Sequence, residues 1–160
     1  MRVTQLLSAG IDVIRHIRHD APMAQLFVIT LEKELPEAFA AYTKSASGKA
    51  LARESNRLDT AIRRYGAAAL TALLSESQAA LIAQLREEGF DPTKMRLPPE
   101  QWFDAAEGLK TVRALTTHVT NNLNDFKQPN PILRDLKAAE ALLVAAEAAG
   151  VRFHLTKMES

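Results

Sequence analysis

Four cations share one face of a helix that the sequence predicts over residues 49–74. Their spacing of four, four and seven residues keeps them on one side, because each residue turns an α-helix by about 100°. A row of cations with no acid among them could bind a small anion, an acidic protein partner or a phosphate backbone. We call this row the basic stripe, and its members are Lys49, Arg53, Arg57 and Arg64.

The opposite face of the same segment is apolar and predicts packing into a core. Asn56 and Thr60 lie between the cations, whereas Glu54 and Asp59 lie at the shoulders, where they could pair with the arginines. The alternative to binding is a solvated face that keeps the protein soluble, which is the more common use of such charge. The residues of the apolar face are Leu51, Leu58, Ile62, Tyr65, Ala69 and Leu73.

Near the amino terminus, Asp12, His16 and His19 follow the i, i+4, i+7 spacing of one helix face. Two imidazoles and a carboxylate on adjacent turns could hold a zinc-like ion. Arg15 and Arg18 stand between these ligands, and nearby cations oppose metal binding. We therefore favour an ordinary solvated face, and we predict neither a metal nor another cofactor.

The same spacing recurs at His118, Asn122 and Asp125 on a later helix. His118 lies about 130° from the centre of that helix's apolar face by the 100° rule. A solvent-facing histidine is therefore favoured over a general base. The surrounding asparagines lower helix propensity, so a fraying helix end explains the polar run.

Trp102 and Phe103 form an aromatic pair at the predicted start of a helix. Such a pair could anchor a partner protein, since tryptophan is enriched in binding hot spots. The alternative is that it seals one end of the core, which is the more frequent arrangement. The sequence leaves both possibilities open and favours sealing.

Most recognisable catalytic motifs are absent from the sequence. It contains no cysteine, which excludes disulfides, thiolate metal sites and thiol nucleophiles. The Glu-x-x-His pair of di-iron bundles is missing, as are the nucleophile elbow and the glycine-rich phosphate loops. An enzyme is therefore not favoured, although a site assembled from separate helices would escape this search.

Composition bounds the partners and the compartment. The formal net charge is only +1 over 160 residues, whereas dedicated nucleic-acid binders usually carry a larger excess. Nucleic acid is thus an unlikely ligand. The first twenty residues lack the apolar core of a signal peptide, and no run approaches the roughly 18 apolar residues of a membrane span. We expect a cytoplasmic protein without membrane contact.

The sequence predicts an all-α, single-domain helical bundle of five or six helices over residues 1–160, with an ordered core over 3–150. Ala and Leu contribute 48 residues and Val and Ile only 14, a strong bias towards helix. A short strand over 151–156 is expected within the tail 151–160. It would need a partner strand, either residues 25–31 or another chain, and otherwise the segment is an ordered tail. Helical segments are predicted at 3–19, 23–35, 36–46, 49–74, one ending near 88, 99–126 and 131–150, with a break favoured at 75–78. Pro36 either kinks one helix that spans 23–46 or starts a new one.

These features favour a non-enzymatic interaction or regulatory protein that self-associates as a homodimer. One alternative is a helical bundle that binds a small ligand or metal, with or without catalysis. A second is a protein that binds anions or nucleic acid through the basic stripe.

Overall fold

The structure is a computed structural model that describes residues 24–159. Residues 24–75 and 102–159 form one compact unit, and residues 76–101 belong to another. Each unit is described by itself, and the single-domain organisation stays a prediction. The helix predicted over 3–19 lies outside the described residues.

Helices make up most of the described chain, so a mostly helical fold is confirmed, although two strands accompany the helices. The bundle arrangement stays a prediction. The strands are β1 (Gln25–Leu31) and β2 (Phe153–Glu159). Short 3-10 turns lie at Arg63–Tyr65, Thr71–Leu73, Pro92–Lys94 and Leu123–Asp125. The helices are α1 (Pro36–Ser45), α2 (Lys49–Arg53), α3 (Ser55–Ile62), α4 (Gln78–Glu87), α5 (Ala105–Asn121) and α6 (Pro129–Ala149).

The helix predicted over residues 23–35 is wrong, because β1 occupies this segment. β1 pairs antiparallel with β2, with Ile29 opposite Leu155. Phe27 and Ile29 are buried and their neighbours are less so, as expected for a strand with one face on a core. The strand predicted at the carboxyl end is confirmed, and its partner is the 25–31 segment of the same chain.

The single helix predicted over residues 49–74 is also wrong. α2, α3 and a 3-10 turn follow one another and end at Gly66, which adopts the left-handed conformation with φ +66°. Tyr65, expected in the core, is instead 38% exposed. The Asp59 side chain binds the segment that follows the turn. Its carboxylate accepts hydrogen bonds from the Leu70 amide at 2.7 Å and the Thr71 hydroxyl at 2.7 Å, so this acid does not pair with the basic stripe.

α5 and α6 pack against each other and carry the centre of the core. Apolar residues recur every three or four positions in both helices and predict one inward face for each. This face is buried except at Thr116, which is partly exposed, and at Leu123 beyond α5, which is 44% exposed. α5 begins at Ala105 rather than near residue 99, and α6 begins two residues before the predicted start. The buried positions shared with the prediction are Ala105, Leu109, Val112, Val119, Ile132, Leu136, Ala139, Leu143 and Ala146.

Residues 76–101 form α4 and the loop after it. Ser77 caps the helix, and its hydroxyl accepts a hydrogen bond from the Ala80 amide at 3.3 Å. Leu81 and Leu85 are buried on the apolar side. A break before this helix, as favoured from the sequence, is confirmed.

The outer edge of β1 is completed by the segment that joins α1 to α2. The Phe27 amide donates to the Gly48 carbonyl at 3.0 Å, and the Ile29 amide donates to the Tyr42 hydroxyl at 3.0 Å. These bonds satisfy the amides that β2 does not reach.

No helix in the described part of the chain is long and apolar enough to cross a membrane.

Replacing Gly48 with alanine should destabilise the fold more than the same change at Gly66. Both residues have positive φ, which costs a side-chain-bearing residue about 1–2 kcal/mol. A Cβ at Gly48 would also lie 2.4 Å from the Phe27 carbonyl oxygen, whereas one at Gly66 would meet nothing within 4 Å. Urea unfolding of Gly48→Ala and Gly66→Ala measures the difference. Equal losses would contradict the close approach to β1.

Burial raises the pKa of Tyr42 to about 12, and the nearby Asp135 carboxylate adds to this rise, while the hydrogen bond from Ile29 opposes it. The neutral phenol is thus favoured in the folded state. The resulting stability is complete below pH 10, the usual phenol pKa, and is lost as the pH rises towards 12.

Tyr42→Phe should therefore flatten the alkaline fall in the free energy of unfolding. It should also cost about 1–3 kcal/mol at neutral pH, because it leaves the buried Ile29 amide without an acceptor. Tyr65→Phe is the matched control, since that ring is exposed. Urea titrations between pH 8 and pH 12, taken here as about two units either side of the usual phenol value, would measure both effects. A steep alkaline fall that persists in Tyr42→Phe would assign it to other groups.

Candidate functional site

A surface groove lies where α3 and the turn after it pack against the carboxyl-terminal end of α5. It is open to solvent and has a volume of about 400 Å³. One wall comes from the predicted basic helix and the other from the His118 region. The sequence singles out residues of each wall, but it does not show that the two walls lie next to each other. The lining residues are Asn56, Arg57, Thr60, Ala61, Arg64, His118, Asn122, Asp125 and Phe126.

The structure divides the basic stripe into two pairs. Arg57 and Arg64 line the groove, whereas Lys49 and Arg53 are exposed but do not. The guanidinium of Arg57 donates through Nη1 to the backbone oxygen of Asp125, which ties α3 to the turn after α5. Arg64 makes no hydrogen bond or ion pair within residues 24–159. Its guanidinium is therefore available to a ligand.

His118 is held in place by three neighbouring side chains. Its Nδ1 atom lies 3.4 Å from the Tyr65 hydroxyl and 3.5 Å from Nδ2 of Asn122. The rings of Tyr65 and Phe126 meet the imidazole edge to face, with centroids 6.0 Å and 6.3 Å away. The predicted solvent-facing histidine is thus only partly exposed, and its ring orientation is constrained from several sides.

These contacts favour one tautomer of the neutral imidazole. Nδ2 of Asn122 also donates to the His118 carbonyl at 2.8 Å, and a carbonyl only accepts, so the amide nitrogen faces the histidine. An amide nitrogen beside Nδ1 favours Nδ1 as an acceptor, and the neutral imidazole in that tautomer carries its proton on Nε2. Among the described residues Nε2 has no hydrogen bond, so it can donate to a ligand.

The electrostatic balance of the groove favours an anion. Arg57 and Arg64 are permanently charged, and the Asp125 carboxylate is the single acid among the lining residues. The Thr60 hydroxyl donates to the Asn56 carbonyl at 2.9 Å, so it is engaged with its own helix. The remaining donors are the two guanidinium groups, the Asn56 amide and Nε2 of His118.

The aromatic pair lies away from the groove, in the sheet. Phe103 exchanges backbone hydrogen bonds of 2.8 Å and 2.9 Å with Phe153, so it extends the sheet beside β2. The Trp102 ring contacts the ring of His154, with centroids 4.6 Å apart. His154 is fully buried. Both aromatic residues are partly buried, and a partner-anchoring function for them stays a prediction.

The candidate metal ligands Asp12, His16 and His19 lie outside the described residues. Within residues 24–159, no three histidine, aspartate or glutamate side chains are grouped closely enough to hold a metal ion. Sequence reasoning placed Asn56 and Thr60 between the cations but missed their proximity to His118. The spacing of residues within one helix could not have shown this proximity, because it depends on how α3 packs on α5.

Comparisons of the chain with protein families, curated proteins and solved structures found no match.

Proposed function

We propose that this is a non-enzymatic binding protein that takes an anionic group of its ligand into the groove between α3 and α5. The observation that carries the proposal is the convergence of two arginines and an oriented imidazole on one open depression. Arg64 in particular presents a whole guanidinium fork with no partner in the described chain, and this fork matches the oxygens of carboxylate and phosphate groups.

The geometry supports binding better than catalysis. A general base usually has a third group that orients it and a nucleophile within hydrogen-bond reach. The neighbours of His118 Nδ1 are the hydroxyl of Tyr65 and the amide of Asn122, and they leave Nε2 without a hydrogen-bond partner among the described residues. The groove side of the imidazole is therefore suited to donating a hydrogen bond to an oxyanion.

A polyanion such as nucleic acid would use the basic stripe differently. A phosphate backbone tracking the helix would contact all four cations, including Lys49 and Arg53 outside the groove. A small anion or a single acidic side chain would contact only Arg57 and Arg64. The two pairs have equal charge, so the chain provides its own matched control.

Reversing both groove charges, as Arg57→Glu with Arg64→Glu, should abolish anion binding. Each lost charge-assisted hydrogen bond is worth about 1.5–3 kcal/mol, so a loss of roughly a hundredfold or more is expected for the pair. The control is Lys49→Glu with Arg53→Glu, which should change affinity by less than about threefold at physiological salt, where screening is strong. Titration of the full chain with citrate and inorganic phosphate, followed by amide NMR shifts, measures both.

An equal loss in the control pair would favour the whole basic stripe and a polyanionic ligand. Undetectable binding of either probe to the unaltered protein at low salt would refute the proposal and leave the groove as ordinary surface. Circular dichroism should be the same for all variants, because the four residues are exposed.

We also propose that the protein is a cytoplasmic homodimer, since closed two-fold pairs are the commonest oligomers. The carboxyl-terminal strand no longer supports this, because β1 of the same chain pairs with it. The support is instead a set of large apolar side chains that are exposed in the single chain, among them Phe39, Val144 and Met158. Light scattering should give twice the monomer mass. A monomer mass at every concentration tested would contradict self-association.

A further inference from the structure

We propose that the group taken into the groove is the phosphate of a phosphomonoester. This inference rests on the proposed function and narrows its ligand from anions in general to one chemical class. Three properties of the groove carry it, namely the arrangement of its donors, its charge and its size.

The free donors come from both walls of the groove. Arg64 and Asn56 lie on the α3 side, and Nε2 of His118 belongs to α5. Arg57 uses Nη1 on the Asp125 carbonyl and keeps the rest of its fork. A carboxylate presents its two oxygens in one plane, which a single guanidinium satisfies. A terminal phosphate has three strong acceptor oxygens arranged tetrahedrally, so it can accept from an arginine on one wall and the imidazole on the other.

The charge of the groove also matches a dianion. A phosphomonoester carries about −1.5 to −2 charges at neutral pH, and its attraction to two guanidinium groups scales with that charge. The Asp125 carboxylate opposes any anion. It is exposed, and its backbone oxygen, rather than its carboxylate, contacts Arg57. Its repulsion is therefore weakened by solvent and salt.

The volume argues for an ester rather than free phosphate. The groove measures about 400 Å³, within the range of roughly 300–1,000 Å³ that is typical of sites for small organic ligands. Inorganic phosphate would fill only a small part of it. Ala61 and Phe126 supply an apolar portion of the lining, against which the organic part of an ester could lie.

The test compares three probes that share one aromatic ring and differ in the anionic group with a fourth probe, inorganic phosphate, that lacks the ring. Phenyl phosphate, benzoate, methyl phenyl phosphate and inorganic phosphate are titrated into the full chain at pH 7.5, about one and a half units above the second phosphate pKa. We expect phenyl phosphate to bind at least about tenfold more tightly than the other three, a difference of about 1.4 kcal/mol. Arg64→Gln should remove most of this affinity, and Arg53→Gln should leave it unchanged.

Asp125→Asn provides a gain-of-affinity arm. It removes the opposing charge while keeping the size of the side chain, so phenyl phosphate should bind several-fold more tightly at low salt, where the repulsion is least screened. Unchanged affinity would place the phosphate away from this end of the groove and overturn the assignment.

A blocked phosphotyrosine tripeptide identifies the source of the group. Tighter binding than phenyl phosphate indicates a phosphorylated protein and equal binding a small molecule, and either result supports the phosphomonoester.

The failures of the two proposals are distinguishable. If benzoate or methyl phenyl phosphate binds as tightly as phenyl phosphate and Arg64→Gln weakens both, the groove binds anions but the phosphomonoester is wrong. If none of the four probes binds and citrate does not bind either, both proposals are wrong.

Discussion

The antiparallel pairing of β1 with β2 is the constraint on which the larger unit depends. It joins residues 25–31 to residues 153–159, near the two ends of the described chain, and turns Phe27, Ile29, Phe153 and Leu155 into one buried sheet face. Two strands alone are marginal in water. Here Tyr42 and Gly48 complete one edge, while Leu74 and Phe103 bridge to β2 on the other. The sheet is thereby protected at both edges and closes the core formed by α5 and α6.

The groove depends on a second constraint, the end of the basic helix at Gly66. Had the helix continued to residue 74, Leu73 would have stayed on the predicted apolar face, whereas Leu70 would have lain about 100° away from Leu51. The left-handed glycine and the Asp59 carboxylate instead fold the following segment back, and both leucines are buried. This allows α3 to lie against α5 and brings Arg64 to the same depression as His118.

What the sequence could predict follows from the range of the interactions. The inward faces of α5 and α6 were predictable, because a helix repeats its apolar residues within its own length and Gly150 ends α6 locally. β1 was not, since its conformation is set by a strand more than a hundred residues away, and a short apolar run fits helix or strand alone. The groove could be predicted only in part. Arg57 and Arg64 were visible as a cationic face and His118 as a polar spacing, but their proximity is tertiary.

The asparagines after His118 show why local propensity can mislead about function. Their poor helix propensity accounts for the end of α5 at Asn121 and for the 3-10 turn at Leu123–Asp125. The end of α5 also makes defined contacts with the groove residues. Asn122 donates to the His118 carbonyl, and the turn presents the Asp125 carbonyl to Arg57 and the buried Phe126 ring to the imidazole. A weak helix terminus thus fixes the ring that faces the two arginines. A stronger helix former at Asn122 would lengthen α5 and remove the contact that orients His118.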